Sequence, residues 1–436
     1  MEAGASERRG MPLHTRILLG LVIGAAAGVA CNLLWKDVPE LVWFTDNIAG
    51  PVGQVFLRLL FMVVVPLVFT SITLGVASLG DIRRIGRVGG RTLVFFLGTT
   101  ALAAALGLTL VNLIRPGESL DPAVRAQLLA EYSGEAGEKV AASQVTGFGV
   151  ETFVNIIPRN PVAAAANGDM LGLIFFSLVL GIALTMMAKE RAAPLMSVLE
   201  TVSEAVMLMI GFAMKVAPIG VAGLIFSVTA KFGFDVLRSL GLYAIMVLIG
   251  LAIHQFVTLP TLARIITGIR PLDFLRRIRG LMITAFSTSS SNATLPTTIK
   301  TAEEQFGVPS HIAGFVLPLG ATMNMNGTAL FEGMTVLFLA QVFGVHLGLA
   351  EQAIVIGLAV ITAVGAAGVP SGSIPLLVMV LVMVGVPGEG IALILGVDRI
   401  LDMSRTVPNV TGDVLTSLYI TRREGIPLAP PAPADT

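Results

Sequence analysis

Long apolar segments recur along the whole chain, and they restrict its fold more than any other feature. A helix needs about 20 apolar residues to cross the hydrocarbon core of a bilayer. Segments of this kind predict eight spanning helices, near 14–35, 47–79, 88–114, 150–188, 195–229, 235–268, 309–342 and 388–421. Only 13% of the residues are charged, about half of what a soluble chain carries. The sequence therefore predicts an all-α polytopic membrane protein in a lipid bilayer.

Two further apolar segments do not fit as simple spans. The segments 271–306 and 351–386 have apolar arms around the centres TAFSTSSSNATLPTT and AVGAAGVPSGSIP. Irregular backbone at membrane depth is tolerated only where protein or a water-filled cavity surrounds it. We therefore expect two re-entrant helical hairpins, with a simple helix kink as the alternative. Each precedes a polar interruption, at 324–328 and 402–409, so we predict two hairpin-and-broken-helix units that form inverted repeats.

Basic residues orient the predicted helices, because lysine and arginine accumulate in cytoplasmic loops. With eight spans, one orientation puts both termini in the cytoplasm, the loop 115–147 outside, and the hairpins on opposite sides of the membrane. We predict this topology in the cell inner (plasma) membrane. The basic groups that support it are Arg8, Arg9 and Arg16; Arg83, Arg84, Arg87 and Arg91; Lys189 and Arg191; Arg270, Arg276, Arg277 and Arg279; Arg422 and Arg423.

Several classes of function are disfavoured by what the chain carries. The 28 basic and 28 acidic residues balance, so no net field indicates a nucleic-acid partner. The single cysteine, Cys31, excludes an intrachain disulfide and argues against a cysteine-based metal site. The motifs of serine hydrolases, HExxH metalloproteases and P-loop enzymes are missing from the sequence. We therefore expect transport without a bound cofactor, and no enzyme activity.

The last apolar segment contains ionisable groups at helical spacing, and such groups at membrane depth usually mark a solute path. Arg405 offers a planar fork that suits a carboxylate, and Asp402 can accept from an ammonium group. A pocket for a small anionic or zwitterionic solute is one interpretation, and a structural Asp–Arg pair between helices is the other. One helical face carries Asp402, Arg405, Thr406 and Asn409, at i, i+3, i+4 and i+7.

Three more polar positions have a candidate role. The serine-rich tip at 287–292 supplies hydroxyls and free N–H groups that can hold a carboxylate, unless it is a flexible linker. At 324–328, Gly327 is expected to permit unwinding, so that freed carbonyls and Asp413 coordinate a cation. A glycine kink capped by asparagines is the alternative. Glu332 is a candidate proton carrier, or else part of an interhelical hydrogen bond.

Several motifs, in order along nearly the whole chain, resemble the glutamate/aspartate transporter family of dicarboxylate/amino acid:cation symporters. They are IIPRNPVAAAANGDMLGLIFFSLVLGIAL at 156–184, the serine-rich tip with ATLP at 293–296, NMNGTAL at 324–330, AAGVPSGS at 366–373 and DMSRTVPNVTGD at 402–413. The resemblance implies a homotrimer that works by an elevator movement. Scaffold helices would occupy 1–87 and 148–229, a transport domain 88–114 and 230–425, an extracellular loop 115–147, and a disordered tail 426–436.

The resemblance also implies an acidic amino acid, L-glutamate or L-aspartate, as substrate. Asp402 would bind its α-amino group and Arg405 its side-chain carboxylate. A C4-dicarboxylate symporter on the same fold and an anion channel are the alternatives. The remaining substrate contacts implied are Ser289 and Ser291 with the backbone of Ser290 for the α-carboxylate, Thr328 beside it, Val369 and Ser373 in the closing tip, and Thr406 and Asn409.

Sodium is the implied coupling ion, with a proton at Glu332 in addition or, as an alternative, protons alone. One sodium site would use Gly320, Asn324, Asn409 and Asp413, and a second the backbone near Thr322, Ala363, Val364 and Ala366. A third, with Thr99, Thr100 and position 326, is weakened because Asn326 and Phe96 replace the family's aspartate and tyrosine. Ser289 and Met403 stand where other branches have an arginine. Asp398 and Arg399 receive no role.

Overall fold

The computed structural model describes residues 11, 13–35, 38–77, 82–120, 157–167, 170–365 and 373–429. Within these ranges every regular element is helical, which agrees with the predicted all-α class. The description below concerns these residues.

The first half of the described chain contains eight α-helices. A π-helical turn at Thr45–Ala49 joins the second to the third, and a 3-10 turn at Pro116–Ser119 follows the fifth. The helices are α1 (Leu13–Trp35), α2 (Pro39–Phe44), α3 (Gly50–Phe61), α4 (Val64–Ala77), α5 (Ile82–Ile114), α6 (Pro161–Ala166), α7 (Met170–Met186) and α8 (Lys189–Phe232).

The second half contains shorter helices and more interruptions. π-helical turns lie at His254–Thr258 and Thr301–Gln305, and a 3-10 turn at Gly388–Leu393. The helices are α9 (Phe234–Ile253), α10 (Leu259–Thr267), α11 (Pro271–Arg277), α12 (Arg279–Thr288), α13 (Ser291–Lys300), α14 (Ser310–Met323), α15 (Asn326–Val342), α16 (Leu349–Gly365), α17 (Ile374–Met383) and α18 (Leu395–Arg423).

Five helical stretches are long and apolar enough to cross a bilayer. They are Thr15–Trp35, Pro39–Ala77, Val88–Ser119, Lys189–Phe232 and Phe234–Thr267. Two shorter apolar helices, Gly172–Met186 and Leu349–Ala363, fall below that length. Spans of this length support a membrane protein.

The predicted spans at 47–79 and 150–188 are each divided in the structure. The first begins at Pro39. The π-helical turn at Thr45–Ala49 and a non-helical turn at Met62 and Val63 interrupt it. In the second, Asn160 starts the separate short helix α6, because its Oδ1 accepts hydrogen bonds from the N–H groups of Val162 and Ala163, at 2.9 and 3.2 Å. Side-chain capping therefore creates a helix start that apolar run length does not reveal.

The predicted break at 324–328 is present, but Gly327 does not produce it. The helix stops at Asn324 and Met325, whose φ values of −113° and −103° are accessible to any residue. Gly327 instead lies in the first turn of α15, where a Cβ would collide with the carbonyl oxygen of Arg405 and lie 2.7 Å from Pro408 Cγ. This glycine is needed for the close approach of α15 to α18.

The predicted interruption of the last helix at 402–409 is wrong. α18 runs unbroken from Leu395 to Arg423 and contains Pro408 in its interior. Proline removes one backbone donor, but a buried helix tolerates this when neighbouring elements pack closely around it. The contact of Pro408 with Gly327 of α15 is packing of this kind.

Both predicted hairpin segments contain two helices in contact. α12 and α13 meet at Ser289 and Ser290 and pack against α18. α16 and α17 contact each other, and the connecting residues 366–372 lie outside the described part of the chain.

Pairs of packed helices surround α18. α1 packs along α8, α3 packs on α8, α4 packs on α7, and α15 packs on α5. One apolar core unites these helices, and a second surrounds α10 to α14 and the carboxyl-terminal half of α18. As a result, most side chains of α18 from Leu395 to Thr421 are buried despite their polarity.

Candidate functional site

A charged cluster lies on the amino-terminal half of α18. Arg405 is only 2% exposed, and its Nε and Nη2 donate hydrogen bonds to Asp402 Oδ1 at 3.0 and 2.7 Å. Its Nη1 is 3.4 Å from Asp398 Oδ1. Arg399 Nη1 donates to the other oxygen of Asp402, Oδ2, at 3.4 Å. Two arginines and two aspartates thus balance one another's charge, as buried ions require.

An aromatic ring packs against this cluster. The guanidinium carbon of Arg405 lies 4.3 Å from the centroid of the Phe331 ring on α15. A guanidinium over an aromatic face is held by the ring quadrupole, and the contact strengthens away from water. The ring and the carboxylates together fix the orientation of the Arg405 fork.

The structure joins the two residues that the sequence assigned to opposite ends of a substrate. Asp402 and Arg405 bond directly, but within α18, whereas the alternative of a structural ion pair placed the bond between two helices. Thr406 and Asn409 share their face of the helix, and the Thr406 hydroxyl donates to the Asp402 carbonyl oxygen at 2.8 Å. All four predicted positions on α18 are buried at one place.

The tip of the first hairpin supplies one uncommitted hydroxyl. Ser289 ends α12 with φ at 52°, in the left-handed region, and its buried Oγ has no hydrogen-bond partner among the described residues. The Ser290 hydroxyl accepts from Ala293 N at 3.1 Å and caps α13, while the Ser290 N–H donates to Thr288 Oγ1 at 3.3 Å. Ser291 is buried as the first residue of α13. Of the predicted carboxylate donors at this tip, the Ser289 hydroxyl is therefore the least committed.

The second predicted tip lies partly outside the described residues. Ser373 is buried before α17, and its hydroxyl has no hydrogen-bond partner among the described residues. Val369 and Ala366 lie outside the described residues. Ala363 is buried near the end of α16, and Val364 follows it in the same helix.

Asp413 is the centre of a second polar group, on the carboxyl-terminal half of α18. It is 1% exposed, and its Oδ1 accepts a hydrogen bond from Asn324 Nδ2 at 2.8 Å. The backbone of Gly320 approaches the same oxygen so closely that a Cβ there would collide with it. In the part of the chain that the structure describes, no lysine or arginine pairs with Asp413, so its charge lacks the compensation that Asp402 has.

Asn409 lies between the two groups on α18 and bonds to the start of α15. Its Oδ1 accepts from the N–H groups of Gly327 and Thr328, at 2.7 and 3.4 Å, and so satisfies the amino terminus of α15. Its Nδ2 donates to Thr328 Oγ1 at 3.2 Å. Of the residues predicted for one cation site, the structure brings Gly320, Asn324 and Asp413 into contact, and Asn409 lies one helical turn before Asp413.

The residues predicted for a third cation site meet only in part. Thr100 Oγ1 donates to Asn326 Oδ1 at 2.9 Å, which joins α5 to α15. The Thr99 hydroxyl instead donates to the carbonyl of Phe95 in its own helix, at 2.9 Å, and Phe96 is fully buried. Thr322, predicted for the second site, likewise bonds within its helix, to Leu319 O at 3.0 Å.

Glu332 is fully buried on α15, and its Oε2 accepts a hydrogen bond from Thr362 Oγ1 on α16 at 2.7 Å. This is the interhelical hydrogen bond that the sequence offered as the alternative to a proton carrier. Glu332 also interacts electrostatically with Arg405, which links it to the charged cluster.

Sequence reasoning missed four contributors to these groups. Asp398 and Arg399 stand four and three residues before Asp402, a helical spacing that could have placed them on the same face. Phe331 and Thr362 come from neighbouring helices, and no spacing on α18 indicates them.

Comparisons with known proteins show which family the chain resembles. The profile of the sodium:dicarboxylate symporter family matches residues 13–423. A Bacillus subtilis (strain 168) relative, named proton/sodium-glutamate symport protein, is 36% identical over 425 residues, 97% of this chain and 95% of the relative. The Escherichia coli (strain K12) proton/glutamate-aspartate symporter is 34% identical, over 94% of this chain and 93% of its own.

A third relative has a different printed substrate. The C4-dicarboxylate transport protein of Bacillus subtilis (strain 168) is 32% identical over 419 residues, 95% of each chain. The matches extend over nearly the whole sequence and confirm the resemblance seen in its motifs. The chain belongs to the sodium:dicarboxylate symporter family.

Proposed function

We propose that this protein is a secondary active symporter that takes up L-glutamate, L-aspartate or both. Na⁺ is the coupling ion in this proposal, and Glu332 is a candidate site for an additional proton. The observation that carries the proposal is the buried pair of Asp402 and Arg405 on α18, with a hydrogen bond of 2.7 Å. Two relatives whose names include glutamate or aspartate symport support it.

An acidic amino acid can replace each member of this pair with a group of the same charge. The substrate's side-chain carboxylate takes the place of Asp402 on the Arg405 fork, and its ammonium takes the place of Arg405 on Asp402. Asp398 keeps its contact with Arg405 at 3.4 Å throughout. No buried charge loses its compensation in this exchange, so the ion pair and the substrate pocket are two states of one site.

Three serine and threonine hydroxyls complete the proposed pocket. The uncommitted hydroxyl of Ser289 faces no other acceptor among the described residues and is the candidate donor to the α-carboxylate. Ser291 and Thr328 assist it in this proposal, with the backbone of Ser290. The segment with Val369 and Ser373 would close the pocket, and Thr406 and Asn409 would line it.

A C4-dicarboxylate is the rival substrate, and one relative carries that name. Asp402 disfavours it, because a second carboxylate would lie against the carboxylate of Asp402 without an ammonium between them. Competition between labelled aspartate and succinate separates the two substrates.

Sodium is proposed for the group around Asp413. A buried carboxylate without a basic partner is costly, and a cation bound there would remove the cost. Hard cations need several oxygen ligands, which the backbone of Gly320, Asn324 and Asn409 can add to the Asp413 carboxylate. The second sodium would use the backbone around Thr322 and Ala363.

Fewer sodium ions are proposed than for a member with aspartate at position 326. The amide of Asn326 carries no charge to offset a third cation, and its oxygen already accepts from Thr100. Glu332, bonded to Thr362 and close to Arg405, is the proposed alternative carrier of positive charge.

The remaining proposals concern architecture. Packing of α1, α3, α4, α7 and α8 supports a scaffold from residues 1–87 and 148–229, and packing of α5 on α15 supports their place in a transport domain of 88–114 and 230–425. We propose eight spans with two re-entrant hairpins, an elevator movement, a homotrimer and cytoplasmic termini in the plasma membrane. No catalytic step belongs to this proposal.

Uptake by purified protein in liposomes tests the function. Labelled L-aspartate is offered under an inward Na⁺ gradient, under an inward proton gradient in sodium-free buffer, and with no gradient. We expect saturable uptake that requires Na⁺ and that succinate inhibits weakly. Equal uptake under the proton gradient alone would refute sodium coupling. Ion flux without saturable uptake of solute would indicate the anion channel instead. Protein-free liposomes are the control.

A further inference from the structure

Arg399 and Arg405 share the carboxylate of Asp402. Both hydrogen bonds from Arg405 reach Asp402 Oδ1, whereas Arg399 Nη1 reaches Oδ2 at 3.4 Å. The side chain of Arg399 is 15% exposed and that of Asp402 5%, so water screens this contact weakly. The group proposed to receive the ammonium of the substrate is thus already shared by two cations.

We propose that Arg399 is a specificity-determining residue of this site. Its charge reduces the preference of the site for an ammonium-bearing substrate over a plain dicarboxylate. The proposal rests on the proposed function, because it assumes that Asp402 and Arg405 contact the substrate. It concerns how strongly the site discriminates between two ligands, which the proposed function leaves open.

The charge of Arg399 acts with opposite sign on the two ligands. A substrate ammonium at Asp402 is repelled by the neighbouring guanidinium and competes with it for the lone pairs of the carboxylate. Succinate has the two carboxylates of aspartate but no ammonium, so Asp402 repels it without compensation, whereas Arg399 attracts it. Removing this charge therefore penalises succinate and relieves the ammonium, so both effects change the ratio of affinities in the same direction.

The surroundings of Arg399 make a test by substitution practicable. Its side chain lines a cavity of about 760 Å³ between α1 and α8, together with Ile17 and Met214. Arg399 Nε has no hydrogen-bond partner among the described residues. A smaller or neutral side chain at this position therefore leaves no tightly packed neighbour unsupported, unlike a substitution of the fully enclosed Arg405.

A purely structural role makes a different prediction. If Arg399 only held Asp402 in place, its loss would weaken both ligands in proportion, because both use the same correctly oriented cluster. The ratio of two inhibition constants separates this role from a role in specificity, whereas the uptake rate alone does not.

The test measures inhibition of labelled aspartate uptake by unlabelled L-aspartate and by succinate in proteoliposomes. For Arg399→Gln we expect the ratio of the succinate to the aspartate inhibition constant to rise about ten-fold over wild type. Arg399→Lys keeps the charge and should keep the wild-type ratio. Arg399→Met, whose apolar stem suits the cavity, is a second neutral variant with the same expected rise.

Gel filtration and thermal unfolding identify which neutral variant folds, and that variant decides the test. An unchanged ratio, with both constants shifted together, would overturn the proposal. So would a wild-type protein whose uptake succinate does not inhibit, because Arg399 would then confer no tolerance of a dicarboxylate. Absence of any aspartate uptake by the wild type would instead count against the proposed function itself.

Discussion

The two halves of α18 treat buried carboxylates in opposite ways. On the amino-terminal half, Asp398 and Asp402 lie against Arg405 and Arg399, so the cluster is neutral within itself. On the carboxyl-terminal half, Asp413 has an amide, Asn324, at 2.8 Å, and among the described residues no arginine or lysine. In the proposed function, the first region exchanges ion-pair partners to admit the substrate, whereas the second gains charge compensation by admitting a cation.

This difference explains why one helix can serve an anion and a cation. In the proposed function, an acidic amino acid enters a neutral cluster by replacing one ion pair with two, and its remaining carboxylate relies on hydrogen bonds. A sodium ion needs the net negative charge that Asp413 keeps. Four substitutions, three of them with a control variant, test this contrast and the groups beside it, beginning with the largest expected effect.

Arg405→Ala should abolish uptake of glutamate and aspartate. Without the guanidinium, the side-chain carboxylate of the substrate would be buried without a cationic partner, which costs roughly 3–5 kcal/mol, more than 100-fold in affinity. Labelled aspartate uptake in proteoliposomes measures the loss. Gel filtration checks that the variant remains folded. Uptake unchanged from wild type would show that the cluster is structural only.

Arg405→Lys is the matched control for this variant. It keeps the positive charge but not the planar fork, so we expect uptake between that of Arg405→Ala and wild type. Lysine that restored full uptake would show that charge alone, without bidentate geometry, is sufficient.

Asp413→Asn should reduce stabilisation by sodium. If Na⁺ binds the native protein only, raising it to 100 times the Kd of one site adds about 2.7 kcal/mol to the free energy of unfolding. We expect a higher Tm for wild type in sodium than in choline chloride, and a smaller difference for the variant, which keeps only the second proposed sodium site. Equal ionic strength controls for screening. A sodium effect as large in the variant as in wild type would mean that the ion binds elsewhere.

Glu332→Gln should separate proton coupling from structure. Glutamine keeps an oxygen that can accept from Thr362, so the interhelical bond is retained and stability should change by less than about 1 kcal/mol. We expect sodium-driven uptake to persist while any stimulation by an inward proton gradient disappears. Thr362→Val, which removes only the bond, should keep that stimulation. If an inward proton gradient still stimulated uptake by Glu332→Gln, Glu332 would be excluded as the proton carrier.

Asn326→Asp should have the smallest effect, on the sodium dependence of uptake. A carboxylate beside Thr100 adds the charge that a third sodium site lacks. We expect a steeper dependence of uptake on sodium concentration, and Thr100→Val in the same background should reverse it. A slope unchanged by Asn326→Asp would show that Thr99, turned to its own helix, limits the site.

The two halves of α18 also show which features of the site can be predicted from the sequence. Helical periodicity predicted that Asp402, Arg405 and Asn409 share a face, because the spacing of residues within one helix is fixed by its geometry. It also predicted that 324–328 is irregular. It did not predict the contact of Phe331 with Arg405 or of Thr362 with Glu332, because these depend on how separate helices pack.

A polar segment and a glycine misled the sequence interpretation in the same way. The segment 402–409 was expected to interrupt α18 and Gly327 to unwind the chain, yet Pro408 and Gly327 lie against each other where α18 packs on the first turn of α15. Local propensity treats such residues as breakers, whereas tight packing between two helices uses them for their shape. The residue pattern of one helix gives no information about the shape of the helix that packs against it.

Asn409 lies one helical turn after Arg405 and one before Asp413, and its amide ties α18 to the start of α15. If both ligands bind as proposed, a shift of this turn would move both halves together, and each ligand would meet a conformation that the other has altered. Thermodynamic linkage then demands symmetry: the factor by which Na⁺ strengthens aspartate binding equals the factor by which aspartate strengthens Na⁺ binding. A substitution at Asn409 should reduce both factors equally, whichever ligand is varied.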